Sequence, residues 1–568
     1  MCEGLFLILP TTCILKRAGV ILRGVLLFIL VLLTSVYITI QLPVVQQALT
    51  SRIASYLSQE LNTEVKLGKI RFNLFNKLSL QELVVKDRQG DSLAVIGELL
   101  LQTSDFFFLH DSISIDKIEL SKTRIFLKRE DSIWRHQFIL DYVAGGGTPQ
   151  KNKKKSRFHL HLKEATVQDF YFNQHDAWNG QVVTGQIKKM KLSAEKLNLS
   201  DDLIQIKSLI LSDPTISIAN FTGNRKRPIK KEIIDDTWWQ LDGKKISLLS
   251  FRIHNGQFKL DEDQRERKSG FDPRHLEIYS VEASLSNSLM TGDTLQSHLE
   301  ISAREKCGLE LKKLEGAFQL SPRQLSIQNL RLETPHSLLQ ESVRLNFKKL
   351  SDFVHFDEKV VIESNFNQSI IGSKDLAFFI PEFKNWNKSI RLGGVLKGTL
   401  RDFTVNQLSL GIGTGTYLQG SLAVKGLPAI ERSSFELNVA RSNVLWEDIR
   451  IIIPSLNSTN LANIEAIRYA RFNGKIAGGA THLQLDGTIQ TRLGSISTGL
   501  QATISNRAIT QYNGRLQLNQ FKLGDLIGLP SLKDVSFIGR VNGNGWGDAN
   551  SQANFNGEIQ SLNFKDVE

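Results

Sequence analysis

Sulfur and proline are scarce in this chain of 568 residues, which has only three cysteines, three methionines and 12 prolines. Cys2 and Cys13 precede the first long apolar run, and Cys307 stands alone after it. A disulfide-stabilised fold is therefore excluded, because no pair of cysteines lies beyond that run. A chain without bridges is compatible with any compartment, including an oxidising one.

Polar tracts and multiple membrane spans are also missing. Hydrophobic residues make up 41% of the chain and charged residues 23%, which excludes long disordered segments. A mean hydropathy of −0.15 is too polar for several membrane helices. At about 100–200 residues per domain, this length corresponds to several domains or to one repetitive structure.

One long apolar run does occur, GVLLFILVLLTSVYITIQL at residues 24–42. Its 42 − 24 + 1 = 19 residues span about 28 Å as a helix, close to the thickness of a bilayer core. Lys16, Arg17 and Arg23 precede the run, and no charge follows until Arg52, which predicts a cytoplasmic amino terminus. A cleaved signal peptide would have a shorter run with small residues at its end, so we favour an uncleaved anchor.

A second helix is predicted directly after the run. Pro43 suits a first helical turn, and apolar residues follow at i, i+4 spacing. These residues are Val45, Leu49, Ile53, Leu57 and Leu61. Such an amphipathic helix lies on lipid or docks on the core of the next domain.

Beyond residue 62 the apolar period changes from 3.6 to 2. Segments such as EVKLGKIRFNLF, DKIELSKTRIFLK and LIQIKSLILSDPTISIANF alternate, and turn residues separate them. We therefore expect a mainly β fold with a few short helices. The predicted organisation is a cytoplasmic amino terminus at 1–23, a transmembrane helix at 24–42, an amphipathic helix at 43–61, a first β-repeat region at 62–365 and a second at 366–568.

The first β-repeat region repeats a strand pair of the form apolar-x-apolar, short break, apolar-x-apolar. The second members recur at intervals of 170 − 125 = 45, 216 − 170 = 46 and 258 − 216 = 42 residues. Alternation places each pair on one face of a strand, which predicts successive rungs of one apolar stripe. The candidate groove residues are Ile125, Leu127, Phe170, Phe172, Ile216, Ile218, Phe258 and Leu260.

The second region carries a different repeat. Asp375, Asp448 and Asp525 are each followed five or six residues later by proline, and then by a GxxxG segment at 394–398, 474–478 and 539–543. The aspartate suits a helix N-cap and the proline a helix stop. Glycine in a strand marks a bend, so the segments predict a strongly curved sheet. The last unit is unfinished, and we expect the sequence to be the front of a longer polypeptide.

Signals for chemistry are poor, and we expect no enzyme, cofactor or metal. His159 and His161 share a strand face but have no cysteine or carboxylate at ligand spacing. Cys307 has no histidine partner in sequence, and no catalytic or phosphate-binding motif occurs. The basic loop at 144–157 has no interleaved aromatics, so we expect no nucleic acid as partner. Weak attraction of this loop to anionic lipid is the alternative to a solvated loop.

A long sheet with one apolar face must cover that face. It can do so as a sandwich, as a closed barrel, or as a trough whose lining is left for a ligand. Composition does not choose among these three.

The chain resembles the AsmA-like proteins, and within them the translocation and assembly module TamB family in its Bacteroidetes-type form. The resemblance rests on the anchor, the amphipathic helix and NTEVKLGKIRFNLFNKLSLQELVVKDRQGDSLAVIGEL, followed by the DLAFFIPEF, EDIRIIIPSL and GDLIGLPSL units. It extends from about Val20 to the end. The family implies an inner-membrane anchor and an elongated, curled, taco-like antiparallel β-sheet with an apolar groove in the periplasm.

The resemblance implies phospholipid and membrane as partners, with transport of phospholipid toward the outer membrane and support of outer-membrane protein assembly and secretion. It also implies an outer-membrane barrel protein of the Omp85 class, engaged through a C-terminal part that this sequence does not include. The alternative is a chaperone-like periplasmic scaffold that binds β-barrel precursors through sheet edges without transporting lipid. In both cases the protein is a single-pass inner-membrane protein with its bulk in the periplasm.

Overall fold

The structure is a computed structural model, and it describes most of the chain. The described residues are 11–73, 76–103, 113–143, 158–197, 203–225, 244–262, 266–267, 270–379, 381–413, 415–427, 429–452, 463–505, 508–545 and 551–565.

The prediction of a mainly β fold is confirmed, since the described residues form 25 strands and seven α-helices, most of which are short. The strands are β1 (Val65–Lys66), β2 (Lys69–Asn73), β3 (Lys77–Lys86), β4 (Ser92–Thr103), β5 (Ile113–Arg129), β6 (Phe158–Asp176), β7 (Gln181–Lys196), β8 (Leu203–Asn220), β9 (Lys245–Glu262), β10 (Glu277–Thr291), β11 (Thr294–Glu305), β12 (Glu310–Ser321), β13 (Gln324–Glu333), β14 (Leu338–Asn346), β15 (Val361–Gly372), β16 (Ser389–Gly398), β17 (Asp402–Ile412), β18 (Thr416–Lys425), β19 (Ser434–Leu445), β20 (Tyr469–Gly479), β21 (His482–Thr491), β22 (Gly494–Ser505), β23 (Ala508–Phe521), β24 (Leu532–Asn544) and β25 (Gln552–Phe564). The helices are α1 (Thr11–Gln41), α2 (Pro43–Leu61), α3 (Gln137–Val143), α4 (Phe356–Lys359), α5 (Ser373–Leu376), α6 (Trp446–Ile452) and α7 (Leu523–Ile527).

Helix α1 contains the predicted apolar run except for its last residue, Leu42. Its segment Arg23–Gln41, 19 residues long, is long and apolar enough to cross a membrane, and none of it is buried in the protein. Arg23 is exposed at the start of this segment, while the side chains of Lys16 and Arg17 lie outside the described part of the chain. The structure therefore contains a candidate membrane helix. The predicted direction in which it crosses the membrane is based on the charge pattern of the sequence.

Helix α2 docks on the sheet. Its face containing Leu49, Ile53 and Leu57 is half-buried, and it covers Val65 and Ile70, which are 5% and 0% exposed. Ser58 Oγ accepts a hydrogen bond from the Val65 amide at 3.0 Å, which joins the helix to β1. Of the two arrangements that the sequence allowed for this helix, the structure shows docking on the next strands.

The chain divides into two compact units, Met1–Lys231 with Arg252–Arg265, and Glu232–Phe251 with Glu266–Glu568. In the first unit β3 pairs with β1 and β2, and β3 to β8 then pair in chain order. The pairs are antiparallel except β5 with β6, which is parallel. This exception was not predicted; the connection between these strands contains α3, and a parallel pair needs such a crossover.

In the second unit β10 to β25 pair antiparallel in strict chain order. No pairing joins β25 to β10 in the described residues, so this sheet is open and not a barrel. The boundary predicted between residues 365 and 366, where the repeat type changes, lies within this unit.

The short helices predicted for the second repeat are confirmed as α5, α6 and α7. The N-cap role predicted for Asp375 and Asp525 is wrong, because both lie inside their helices and the N-cap residues are Gly372 and Lys522. Asp375 instead accepts hydrogen bonds from the hydroxyls of Thr334 and Ser337, both at 2.5 Å. Its carboxylate thus joins the helix to the turn before β14, an interaction between residues too distant in sequence for a pattern to show.

An ion pair joins the ends of the parallel strands. Arg129 Nε donates to Asp176 Oδ1 at 2.9 Å, Arg129 Nη2 donates to the second oxygen, and the Asn179 amide donates to Oδ1 at 3.0 Å. The Arg129 guanidinium also lies over the Trp134 ring, 4.5 Å from its centroid. Burial raises the pKa of Asp176, but the bonds from Arg129 and Asn179 outweigh it and hold this pKa below its ordinary value.

We predict that Asp176→Asn destabilises the first unit by about 3 kcal/mol at pH 7, because it leaves the largely buried Arg129 without its counter-charge. Since the folded pKa is lowered, the carboxylate contributes its stability above its unfolded pKa, about 3.9, and loses it as pH falls below that value. Circular-dichroism melting of the full chain at pH 7 and pH 3 tests this, and the gap between variant and parent should narrow at pH 3. The control Asp169→Asn changes an exposed carboxylate on the same strand and should melt like the parent at both pH values. An equal gap at both values would contradict the assignment.

Candidate functional site

Three of the eight predicted groove residues lie in one cross-strand row. Ile125 pairs with Phe172, Phe172 with Gly185, and Gly185 with Ile216. The row continues through Ala94 and Val85 to Val65. We call these seven positions the Ile125 row: Val65, Val85, Ala94, Ile125, Phe172, Gly185 and Ile216.

Two further predicted residues occupy the next rung. Leu127 and Ile218 lie in the row that also contains Gln174 and Val183, so one polar side chain interrupts the rung. Phe170 is displaced by one rung, since it pairs with Ile187 and not with the partner of Ile125. The intervals in register are therefore 172 − 125 = 47 and 216 − 172 = 44, which differ from the spacing read from sequence.

The position of Phe258 and Leu260, which lie on β9, follows from a side-chain hydrogen bond between β9 and β8. Asn255 Nδ2 donates to Asp213 Oδ1 at 2.6 Å, and both residues stand three positions before an apolar member of the repeat. None of the eight predicted residues is buried. Seven are half-buried and Ile216 is 47% exposed, so the described residues do not bury these positions under a second layer.

Two more regular apolar rows were missed from sequence. The Leu120 row contains Ile70, Leu80, Leu99, Leu120, Val167, Met190 and Leu211. The Phe72 row contains Phe72, Leu78, Leu101, Ile118, Ala165, Leu192 and Leu209. On β5, β6 and β8, the residues of these two rows are the first members of the repeated strand pairs. The sequence repeat could therefore have revealed both rows.

The break between the two members of each pair is a residue with left-handed backbone. Lys122, Asp169, Asp213 and Asn255 have φ of 50–52° in the middle of their strands, and Glu82 has φ 57° in β3. A residue in this conformation offsets the two-residue alternation, as a β-bulge does. The sequence shows the same offset, because apolar residues change from even to odd positions across Lys122.

The offset keeps both halves of each strand on one apolar face. Ile70 belongs to the Leu120 row and Val65 to the Ile125 row, and these rows lie on opposite sides of the left-handed residues. Helix α2 covers both residues. A helix on one side of the sheet can bury both only if they point to that side.

The second unit carries a still longer row that sequence reasoning did not find. Direct cross-strand pairing joins fourteen positions on β12 to β25, which we call the Val405 row. Its members are Phe318, Ile327, Val343, Ser364, Leu396, Val405, Leu422, Leu437, Ile476, Leu485, Leu500, Gly514, Val541 and Phe555. At about 4.8 Å between strands, the row runs about 60 Å along the sheet.

The Val405 row is only partly covered. Ile327, Val405 and Val541 are 6–7% exposed, most other members are half-buried, and Phe555 is 61% exposed. In a sandwich the inner face would be buried against a second sheet. Shielding here comes from neighbours in the same sheet, such as the cluster of Leu285, Leu299, Ile301 and Leu330 around Ile327.

The opposite face of this sheet carries charged side chains that form ion pairs between neighbouring strands. Lys475 Nζ lies 2.8 Å from Glu436, and Glu363 accepts from Lys397 and Arg344, both at 3.3 Å. The hydrogen bond from Lys475 lowers the pKa of Glu436. Such exposed pairs contribute little stability each, but they keep this face in water and leave the other as the apolar one.

Glycines lie beside the Val405 row on the same face. Gly474 pairs with Gly487, and Gly539 pairs with Gly557. A Cβ on Gly474 would lie 2.2 Å from the Asp486 carbonyl oxygen, which no real side chain tolerates. The strands therefore approach closely at these glycines, and the predicted GxxxG strands are confirmed within β16, β20 and β24.

Nothing in the described residues assembles a metal site, since no group of three potential ligands comes together there. Burial and a hydrogen bond to Glu305 raise the pKa of the Cys307 thiol, the opposite of nucleophile activation. The side chains of His159 and His161 lie outside the described part of the chain. The arrangement that stands out is therefore a surface, with apolar rows half-covered along each unit.

No protein-family model matches this chain, and no curated protein matches it significantly.

The glycines give a test of the close strand approach. Gly474→Ala should lower the free energy of unfolding of the second unit by about 1–3 kcal/mol, because alanine is strained at φ +147° and its Cβ meets β21 backbone. Gly393→Ala is the matched control on β16, where the nearest atom is 3.6 Å away and the backbone is not left-handed. Circular-dichroism melting of both full-length variants measures the difference. Equal melting of Gly474→Ala and parent would refute the close approach.

Proposed function

We propose that this protein is a membrane-anchored bridge of the AsmA-like type that conducts phospholipid acyl chains along its apolar rows toward the outer membrane, and so supports outer-membrane biogenesis. The carrying observation is the Val405 row, a long path on an open sheet whose members are apolar except for Ser364 and Gly514. The motif resemblance supports the same proposal and adds an outer-membrane barrel protein of the Omp85 class as a partner.

The length of the row favours a path over a pocket. A single acyl chain spans about 15 Å, half of a bilayer core of about 30 Å. The Val405 row, at about 60 Å, is several times longer than the ligand that it would shield. A binding protein for one lipid needs no such length, whereas a conduit does.

The half-burial of the rows favours an acyl chain as occupant. Removing each CH₂ group from water is worth about 0.8 kcal/mol, so a lipid tail in the periplasm needs apolar cover along its whole length. Row members that are half-buried in the free protein, such as Leu485 and Leu500, retain apolar surface for that contact. A closed core would leave none.

Charge pattern and resemblance together favour an inner-membrane location. Lys16, Arg17 and Arg23 would stay in the cytoplasm, and the chain from about Pro43 onward would lie in the periplasm. The sheets would then stand in the compartment that a lipid has to cross.

We predict that Leu485→Asp and Ile216→Asp keep the β-structure but lose bound lipid. The charge can hydrate on an open face, whereas it breaks the apolar path for a tail. The measurements are circular-dichroism melting and crosslinking of a diazirine-bearing phospholipid to the full chain, with at least a fivefold loss of crosslink expected.

Two control variants accompany this experiment. Ile70→Asp buries an unpaired charge under α2. It should lower the free energy of unfolding by several kcal/mol, so that the variant melts far below the parent. Gln484→Asp lies on the opposite face beside Leu485 and should leave both fold and lipid labelling intact. If Leu485→Asp unfolds the protein as Ile70→Asp does, and the parent takes no lipid, the rows form an ordinary core and the proposal fails.

The chaperone-like scaffold remains the second candidate, and exposed apolar side chains on β25 favour it. Its Ile559 and Leu562 are 58% and 43% exposed, and such side chains can contact the apolar face of a barrel precursor. Crosslinks of barrel precursors at strand edges, without lipid at Leu485, would favour the scaffold.

Orientation is tested by thiol labelling in spheroplasts. We predict that an impermeant maleimide labels Asp293→Cys, an exposed turn between β10 and β11, in a Cys307→Ser background. Native Cys307 is a poor reporter because it is half-buried and its pKa is raised. Cys13 should be labelled only after the membrane is permeabilised, and labelling of Cys13 alone in intact spheroplasts would reverse the orientation.

A further inference from the structure

The junction between α1 and α2 is tied to the sheet by one side chain. Gln41 is the last residue of α1, and its Nε2 donates to the carbonyl oxygen of Phe72 at 2.5 Å. Its Oε1 accepts from Gln46 Nε2 at 3.1 Å. One carboxamide therefore joins the candidate membrane helix, the docked helix and strand β2.

The residue that Gln41 holds is the first member of the Phe72 row. Phe72 is half-buried and pairs with Leu78, from which the row continues across β4 to β8. Two positions earlier, Ile70 is fully buried on the strand against which α2 packs. Along β2, the exposure of the apolar side chains thus rises from Ile70 to the half-buried Phe72.

Apolar side chains continue from α1 toward this point. Ile38, Leu42 and Val44 are 57%, 48% and 78% exposed around the junction. If α1 spans the bilayer, its last turn lies at the boundary between acyl chains and headgroups. Exposed apolar side chains there have lipid tails as their natural neighbours, and in sequence they flank Gln41, which bonds to the strand that carries Phe72.

The other face of the same hairpin carries basic residues. Lys69, Arg71 and Lys77 are exposed on β2 and β3, at alternating or directly paired positions opposite to Phe72. Cations at this depth attract lipid phosphates by roughly 1 kcal/mol each. The hairpin is therefore apolar toward tails and basic toward headgroups.

We propose that Gln41 is a positioning residue that holds the outer end of α1 against Phe72, and that phospholipid tails pass sideways from the bilayer onto the Phe72 row at this junction. This inference rests on the proposed lipid-conducting function. It adds the place of transfer and the residue that aligns it.

The test supplies the lipid by two routes. The full chain is either reconstituted into vesicles containing a diazirine-bearing phosphatidylethanolamine, or mixed in detergent micelles with the same lipid. Labelling is mapped by mass spectrometry at β2–β3 and around Leu209, the last member of the Phe72 row on β8, and around Leu485 for lipid supplied from micelles. Micelles deliver lipid to any exposed part of the rows. Lipid from a vesicle, in contrast, reaches the rows only by passing through the junction between α1 and α2.

Gln41→Met keeps the side-chain length but removes both hydrogen bonds. We expect it to reduce vesicle-derived labelling at Leu209, in the same row as Phe72, at least fivefold and to leave micelle-derived labelling unchanged. Gln47→Met makes the same change at an exposed position of α2 and should behave as the parent by both routes. Val44→Asp, at a position 78% exposed, places a charge on the path without burying it and should also reduce only the vesicle route.

The outcomes separate the two proposals. Parent protein that takes no label at Leu485 from micelles overturns the lipid-conducting function and this inference with it. Parent protein that labels from micelles, while neither Gln41→Met nor Val44→Asp reduces labelling from vesicles, overturns the junction alone. A selective loss of the vesicle route in both variants supports it.

Discussion

Backbone hydrogen-bond register is the constraint on which every apolar row depends. A row such as the Val405 row exists only because the strands from β12 to β25 are paired so that apolar residues meet apolar residues at most steps, with Ser364 and Gly514 as the exceptions. A slip of one residue at any pair would send the following side chains to the charged face. The Lys475–Glu436 pair on that face opposes such a slip, because it is formed in the same register as the Leu437–Ile476 pair.

Local departures from ideal strand geometry preserve this arrangement. The left-handed residues of the first unit, such as Asp169 and Asp213, offset the alternation once in β3, β5, β6, β8 and β9, and the sequence offsets its apolar positions at the same places. In the second unit the paired glycines Gly474 and Gly487 allow neighbouring backbones to approach on the apolar side. Each device costs local strain, and each is repeated in neighbouring strands where it is needed.

Hydrogen bonds and ion pairs of polar side chains fix the ends of the strands, which most residues of the apolar rows do not reach. Asp176 joins β5 to the turn after β6 through Arg129, and Asp375 joins α5 to the turn before β14. Asp448 plays a similar part in α6, where it accepts from Thr416 Oγ1 at 2.5 Å and pairs with Lys388. With its ends held in this way, a sheet can keep one face only half-covered, and that face is what the proposed transport of lipid tails requires.

Sequence periodicity by itself determined the β content, the apolar helix at the amino terminus, the existence of α2, the short helices near Asp375, Asp448 and Asp525, and an apolar-x-apolar repeat whose members share a face. These features arise within one strand or helix, where neighbours in space are neighbours in sequence. Only the tertiary structure decided which repeats lie in one row, because register joins residues some 10 to 50 positions apart; it placed Phe172 and not Phe170 beside Ile125, and it revealed the Leu120 and Val405 rows. It likewise decided that β5 and β6 run parallel, that α2 docks on Ile70, and that Gln41 reaches Phe72, since each of these contacts depends on where the chain returns after a turn.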